Sequence, residues 1–349
     1  MIDLRSDTVT QPTEAMLDAM QSATFGDDSR DGDATVQKLE ALAAERTGKE
    51  AAVFVPSGTM SNLVSLLAHA DRGGEVLVEG TSHILTAELG GVANLAAMFY
   101  RGLPGKRGAM DVEALREHIR PRISRNQLGT ALVWMETTHN AAGGAVLPLA
   151  HMAEVQTLAR DHAVPVHIDG ARIFNAAAAL GTRAQEIAKH GDTVSFCVSK
   201  GLSAPVGSLI CGTREFTERA RGFRRMVGGN MRQAGPIAAA GIVAIENMVE
   251  RLPEDHGTAK RLATGLHAID ASIVDPATVE TNLVRVSVRA SGRKAAEWST
   301  EMKQRGVLVS PCATWDLRFV THRHIGGAEV DHAIGAFADV WKIKSRSSG

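Results

Sequence analysis

From about residue 50 to residue 212, short apolar runs alternate with longer stretches whose apolar positions recur every three or four residues. The short runs predict strands at Ala51–Val55, Glu75–Val78, Ala131–Met135, Val164–Ile168, Thr193–Val198 and Ser208–Cys211. The longer ones predict helices at Asn62–Ala70, Met110–Ile119 and Leu149–Asp161. Such alternation argues for an α/β domain around a mostly parallel sheet covered on both faces. After Gly228 and Gly229, the segment Ala234–Val249 carries almost no charge before Glu246 and reads as a buried helix. From about Pro253 the order becomes helix (Gly257–Ile269), strand (Leu283–Val288), helix (Arg293–Arg305), strand (Arg318–Thr321) and helix (Glu329–Ile343), a smaller α+β unit. The division expected is a polar arm with a short helix at Thr13–Ser22 over residues 1–25, a large domain over 26–250 and a small C-terminal domain over 251–345, with the final SRSSG disordered.

At 349 residues, 44% hydrophobic and 22% charged, the chain resembles soluble globular proteins, and no apolar run is long enough to cross a bilayer. The opening MIDLRSDTVTQ has charges at positions 3, 5 and 7 and no apolar core, which argues against a secretory leader, so a cytoplasmic location is expected. Cys197, Cys211 and Cys312 are too scattered for a disulfide framework and form no C-x-x-C pair. A net charge of −1 with both signs interspersed lacks the basic field that nucleic acid or an anionic membrane needs, which leaves a small molecule as the expected partner. The carboxylates show no metal-ligand spacing, and no metal is expected.

Four segments carry chemistry. In Val166-His167-Ile168-Asp169-Gly170-Ala171-Arg172 an apolar strand delivers a carboxylate, a small-residue turn and a cation at the strand end, where open α/β sheets place ligands. Asp169 there can pair with a protonated ring nitrogen of a cofactor, or simply cap the next turn. Lys200 ends the run Val194–Val198 between Ser199 and Gly201; a lysine amine near the interior is desolvated and can form an imine with a carbonyl, whereas a surface lysine does neither. Ser57-Gly58-Thr59-Met60-Ser61-Asn62 is a polar turn from strand to helix, able to bind a phosphate with free N–H groups or to act as an ordinary N-cap. His83, in Thr81-Ser82-His83-Ile84, can stack on an aromatic ring or move protons.

Together with Leu4-Arg5-Ser6-Asp7-Thr8-Val9-Thr10, Glu136-Thr137-Thr138-His139-Asn140, Gly228-Gly229-Asn230-Met231-Arg232-Gln233-Ala234-Gly235 and Leu317-Arg318-Phe319-Val320-Thr321-His322, these segments make nearly the whole chain resemble the L-threonine aldolase family. That family lies within the fold-type I pyridoxal 5′-phosphate (PLP) enzymes related to β-eliminating lyases. The resemblance implies a fold-type I transferase-like architecture, with Lys200 carrying PLP covalently, Asp169 on its ring nitrogen, His83 on its face and Gly58, Thr59 and Met60 at its phosphate. It implies that Ser6, Arg172 and Arg318 grip the substrate carboxylate, Arg172 close to the cofactor as well, and that the Glu136 segment shapes the pocket. The implied reaction is retro-aldol cleavage of L-β-hydroxy-α-amino acids, such as threonine, allo-threonine or phenylserine, to glycine and an aldehyde, with His83 or an ordered water as base. A β-eliminating lyase or a racemase would share this site and break another bond at Cα. A non-enzymatic relative would be expected to have lost Lys200 or Asp169, and both are present.

Three positions depart from many relatives. Arg30 replaces an aromatic hydroxyl near the N-terminus and could meet a polar or anionic substrate side chain, a subunit partner or solvent. Asn126, in Ser124-Arg125-Asn126-Gln127-Leu128, stands where a histidine can touch the β-hydroxyl. Ala87 leaves room where some relatives have an aromatic ring. The family also implies a homo-oligomer, at least a dimer and by its habit a homotetramer, with sites at subunit boundaries to which the N-terminal arm and the Gly228–Arg232 loop could reach.

Overall fold

The computed structural model describes residues 1–70, 72–121 and 126–347. A seven-stranded sheet organises the large domain, in the spatial order Ala51–Val55, Ser208–Gly212, Thr193–Cys197, Val166–Asp169, Thr130–Glu136, Glu75–Glu79, Phe99–Leu103. Ser208–Gly212 runs antiparallel to both of its neighbours and every other pairing is parallel. Successive residues of each strand enter opposite layers, as the two-residue repeat of a strand requires. Phe54, Val133 and Met135 join the core under the helices Ala34–Thr47, Leu149–Asp161 and Gly235–Asn247. Val53 and Val55 pack with Val64 of the Gly58–His69 helix and Ala220 of the Arg214–Met226 helix, and Leu132 and Trp134 pack with Leu66. Both faces are thus buried, which is why the strands read as apolar runs.

All six strands expected in the large domain form, within two residues of the expected limits. Phe99–Leu103, the sheet edge, was not expected: four of its five residues are exposed, so it carries no burial pattern. Ala34–Thr47 and Arg214–Met226 are further helices beyond the expected set.

The small domain is the three-stranded antiparallel sheet Leu283–Ser287, Asp316–Val320 and Ser310–Pro311 with the helices Leu252–Ile269, Ala295–Gln304 and Gly327–Ser347. Its core centres on Trp298, Phe319 and Phe337. The N-terminus is not the separate arm expected: Ile2 and Asp3 pair in parallel with Val307 and Leu308, and Leu4 is buried in the small-domain core. The last helix runs past Ile343 to Ser347, so part of the expected disordered tail extends it, and residues 348 and 349 lie outside the described residues. Among the described residues no helix is long and apolar enough to cross a membrane.

Asp33 shows how the large domain is tied together. Its buried carboxylate caps the Ala34–Thr47 helix through the N–H groups of Thr35 (2.9 Å) and Val36 (3.1 Å), and also accepts from Gly26 (3.0 Å) and Gly235 (2.9 Å). Replacement by Ala strands these donors, so Asp33→Ala is expected to lower stability by about 2–4 kcal/mol. Urea unfolding followed by circular dichroism checks this, and Asp33→Asn, which keeps an acceptor, should lose less.

Candidate active site

Six parallel strands end at one edge of the sheet, and the antiparallel Ser208–Gly212 begins there. The connections leaving that edge line a cavity of about 370 Å³. Asp169, the last residue of a central strand, is buried in its floor. Its carboxylate accepts from the Ala171 N–H (3.0 Å) and the Asn62 side-chain amide (2.9 Å). The same Asn62 amide donates to Glu88 (2.7 Å), and Glu88 lies 2.7 Å from His83 Nδ1. This hydrogen bond to Glu88 raises the His83 pKa above its ordinary value against the opposing effect of burial, and the Asp169, Glu88 and Glu136 charges add to it. With Nδ1 turned to Glu88, Nε2 is the nitrogen left for chemistry.

At one end of the cavity the Gly58–His69 helix presents its first turn. Ser57 caps it by accepting from the Met60 N–H (3.2 Å), which leaves the Gly58 and Thr59 amides without a partner among the described residues. A Cβ on Gly58 would come 3.0 Å from Cys197 Sγ, so glycine lets the backbone sit close to the adjoining strand. Met60 does not line the cavity; its partly buried side chain packs against the cluster of Val53, Val55, Val64 and Ala220.

Lys200 follows the Thr193–Cys197 strand and lines the cavity, its carbonyl held by Thr10 Oγ1 (2.9 Å) and the Ser203 N–H (2.8 Å). Among the described residues no acceptor holds its ammonium. Ser6, Arg172 and Arg318 close the cavity. Arg172 is committed along one edge, where Nε and one terminal nitrogen each lie 2.6 Å from the buried Asp7 carboxylate. Burial would raise the Asp7 carboxyl pKa, but Arg172, with help from Lys200 and Asn282, brings it down to about 2. Arg318 donates to Asn140 Oδ1 (2.9 Å) and the Arg5 carbonyl (3.2 Å), while its buried Nε has no partner among the described residues. Ser6 Oγ accepts from the Thr8 amide (3.2 Å) and hydroxyl (2.8 Å), so its own hydrogen remains to donate. The two guanidiniums and this hydroxyl suit a carboxylate.

The Glu136 segment acts as a brace. The Glu136 carboxylate accepts the backbone N–H groups of His83 (2.6 Å) and Asn140 (2.8 Å), linking the backbone of His83 to the residue that holds Arg318. Fully buried His139 lies 3.0 Å from Glu79 and 3.8 Å from Glu136. Burial alone would lower the His139 pKa, yet the Glu79 hydrogen bond and the two carboxylate charges raise it, while burial raises that of Glu136.

Arg30, Asn126 and Ala87 are exposed and do not line the cavity of this chain; Arg30 Nε lies 3.7 Å from Asp27. Ser124 and Arg125 lie outside the described residues. Asp7, Asn62, Glu79 and Glu88 are site residues that sequence reasoning did not single out. The hint was their type and place: polar residues in Ser-Asp-Thr and Ser-Asn-Leu, inside segments already marked, and in Val-Glu-Gly and Ala-Glu-Leu, beside them.

A lysine amine, a buried carboxylate, a helix N-terminus and an imidazole facing one cavity are a donor set that fits a phosphorylated aromatic aldehyde such as PLP. A family model described as beta-eliminating lyase matches residues 3–289. The chain is 40% identical to low-specificity L-threonine aldolase 1 of Arabidopsis thaliana over 96% of this chain and 95% of that one. It is 42% identical to the low specificity L-threonine aldolase of Escherichia coli strain K12 over 92% and 94% of the two chains. The solved structure of Leishmania major threonine aldolase shares the fold, with a TM-score of 0.82 at 17% identity over 98% of this chain and 100% of that one.

Since Glu88 is the main cause of the raised His83 pKa, Glu88→Gln is expected to bring the His83 midpoint down toward about 6.5. A histidine-labelled NMR titration reads this directly, and an unchanged midpoint would assign the shift elsewhere.

Proposed function

Because this chain belongs to the beta-eliminating lyase family, alongside the low-specificity L-threonine aldolases, we propose that it is a PLP-dependent aldehyde-lyase. It cleaves L-β-hydroxy-α-amino acids, such as L-threonine, L-allo-threonine and phenylserine, into glycine and an aldehyde. The observation that carries the reading is the placing of Lys200 and Asp169 in the same cavity as the Ser6, Arg172 and Arg318 carboxylate grip.

PLP, when bound, supplies a sink for the electron pair released at Cα. Lys200 would hold it through Nζ, Asp169 would pair with the ring nitrogen, and His83 would cover the ring face. Gly58 and Thr59 would bind the phosphate with their free amides, while the Met60 amide, already taken by Ser57, would contribute less. Arg172, Arg318 and Ser6 hold the substrate carboxylate and so decide which bond at Cα is aligned for cleavage. His83 Nε2, directly or through a water, takes the β-hydroxyl proton, and Glu88 keeps the ring oriented for it.

The enzyme works as a homo-oligomer, dimer or tetramer, in which exposed Arg30 and Asn126 can reach a neighbouring site and recognise substrate. Support comes from the exposure of Phe25, Leu89, Leu95, Phe99 and Tyr100, apolar side chains that association would cover. Its three unpaired cysteines suit a reducing compartment, in keeping with a cytoplasmic enzyme.

Purified protein is expected to show the visible absorption of lysine-bound PLP and to release glycine from at least one of L-threonine, L-allo-threonine, phenylserine and 3-hydroxyaspartate. Keto acid with ammonia, or racemised amino acid without glycine, would assign elimination or racemisation instead. Lys200→Ala should lose both the band and glycine release. Arg318→Lys, which replaces a planar fork by a point charge, should raise KM for L-threonine about 10–100-fold with a smaller change in kcat. With His83 as base, kcat/KM should rise with pH through its raised pKa, and Glu88→Gln should move that limb to lower pH.

A further inference from the structure

The layer between the sheet and the Gly58–His69 helix is apolar over most of its area, but one line through it is polar. His167, Thr193 and Ser195 alternate along their strands with Val166, Ile168, Val194 and Phe196, which belong to the opposite core, so their side chains face this helix. His167 Nε2 lies 3.2 Å from Ser195 Oγ, His167 Nδ1 lies 2.7 Å from Thr193 Oγ1, and Thr193 Oγ1 lies 2.6 Å from His69 Nε2. All four residues are buried. At one end Ser195 lines the active-site cavity and stands opposite Asp169 in the strand register. At the other, His69 lines a separate groove of about 430 Å³ with Gln156, Arg160 and Asp192, at the edge where the strands begin.

A hydroxyl has one proton, so Thr193 can donate to only one of the two rings and must accept from the other. The chain therefore has two arrangements, related by reversing every hydrogen bond. In one, His69 Nε2–H donates to Thr193, Thr193 to His167 Nδ1, and His167 Nε2–H to Ser195, whose own proton is left for the cavity. In the other, Ser195 donates to His167 Nε2, His167 Nδ1–H to Thr193, and Thr193 to His69 Nε2.

We propose that Ser195, His167, Thr193 and His69 form a proton relay from the active-site floor to the groove at the far edge of the sheet, and that His167 and Thr193 are positioning residues that set the direction of the Ser195 hydroxyl beside Asp169. A proton arriving at Ser195 from the cavity sends the hydroxyl proton to His167 Nε2; the Nδ1 proton passes to Thr193, the Thr193 proton to His69, and one proton leaves His69 for the groove. One proton crosses, no bond between heavy atoms changes, and the chain ends in its reversed arrangement. His167 itself stays neutral, because burial, then His69 and Lys49, hold its pKa well below the ordinary value. It therefore responds by exchanging tautomers. Around His69 stand His167 and Thr193 from the sheet, the Phe216 ring at 4.6 Å, and Arg160 and Asp192 in the groove.

The consequence for catalysis rests on the reading that Asp169 meets the cofactor ring nitrogen, but the relay does not, and it is tested on holoenzyme without amino-acid substrate. Histidine ring nitrogens are followed by 15N NMR between about pH 5 and 8, the range in which an ordinary histidine changes charge. Protonated His69 must donate to Thr193, which fixes His167 with its proton on Nε2. The expected result is a His167 tautomer change that shares the midpoint of His69, is kept in Thr193→Ser and is lost in Thr193→Val. A His167 ring that holds one tautomer throughout in the parent, or a shared midpoint that survives Thr193→Val, would overturn the relay. Neither result depends on whether the enzyme releases glycine, so failure of the relay and failure of the aldolase reading are separate outcomes.

Discussion

Asp7 and Arg172 are both buried, and neither could remain there alone, since an unpaired ion in the interior costs several kcal/mol while its removal from a pair costs about 3–5 kcal/mol. Together they fasten three parts of the chain. Asp7 belongs to the N-terminal segment, Arg172 to the turn after a central strand, and Asn282, which donates to Asp7 (3.2 Å), to the approach to the small-domain strand Leu283–Ser287. The cavity is walled by these parts, so the site exists only while this pair is closed. Acid reaches it late: the stability it contributes is complete above the unfolded carboxyl pKa, about 3.9, and is lost as pH falls through about 2.

The remaining charges of the site follow the same logic of mutual support. His139 sits between Glu79 and Glu136, and Glu136 in turn fixes the backbone of His83 and Asn140. Glu88 and Asn62 then link His83 to Asp169. Among the described residues, the groups left with free donors, Lys200, Ser6, the uncommitted edge of Arg172 and Nε of Arg318, belong to residues that line the cavity. Partners of the protein's own hold everything behind them in one geometry, as preorganised catalysis needs.

How much of this could be read from the sequence depended on the range of the interaction. The central strands were legible because burial on both faces leaves an unbroken apolar run, and Lys200, Asp169, Gly58 and His83 because each follows such a run. The exposed edge strand Phe99–Leu103 has no such pattern, and neither has the docking of Ile2 and Asp3 beside Val307 and Leu308. Asp7, Glu79, Glu88 and Asn62 acquire their roles only through neighbours far along the chain or around a turn, and an isolated carboxylate in a sequence resembles any solvated one. Met60 shows the converse: its place in the motif was legible, but the capping bond from Ser57 that takes its amide was not.

That Ile2 and Asp3 find their partners at Val307 and Leu308 also bears on the order in which the molecule can be made. Synthesis proceeds from the N-terminus, and domains generally fold as they emerge. Here the first strand must wait, unpaired, until the segment that carries Val307 and Leu308 has left the ribosome. A nascent chain can therefore assemble the large sheet first, whereas the wall that carries Ser6 and Asp7 closes only after Val307 and Leu308 have emerged, about a hundred residues behind the last strand of that sheet.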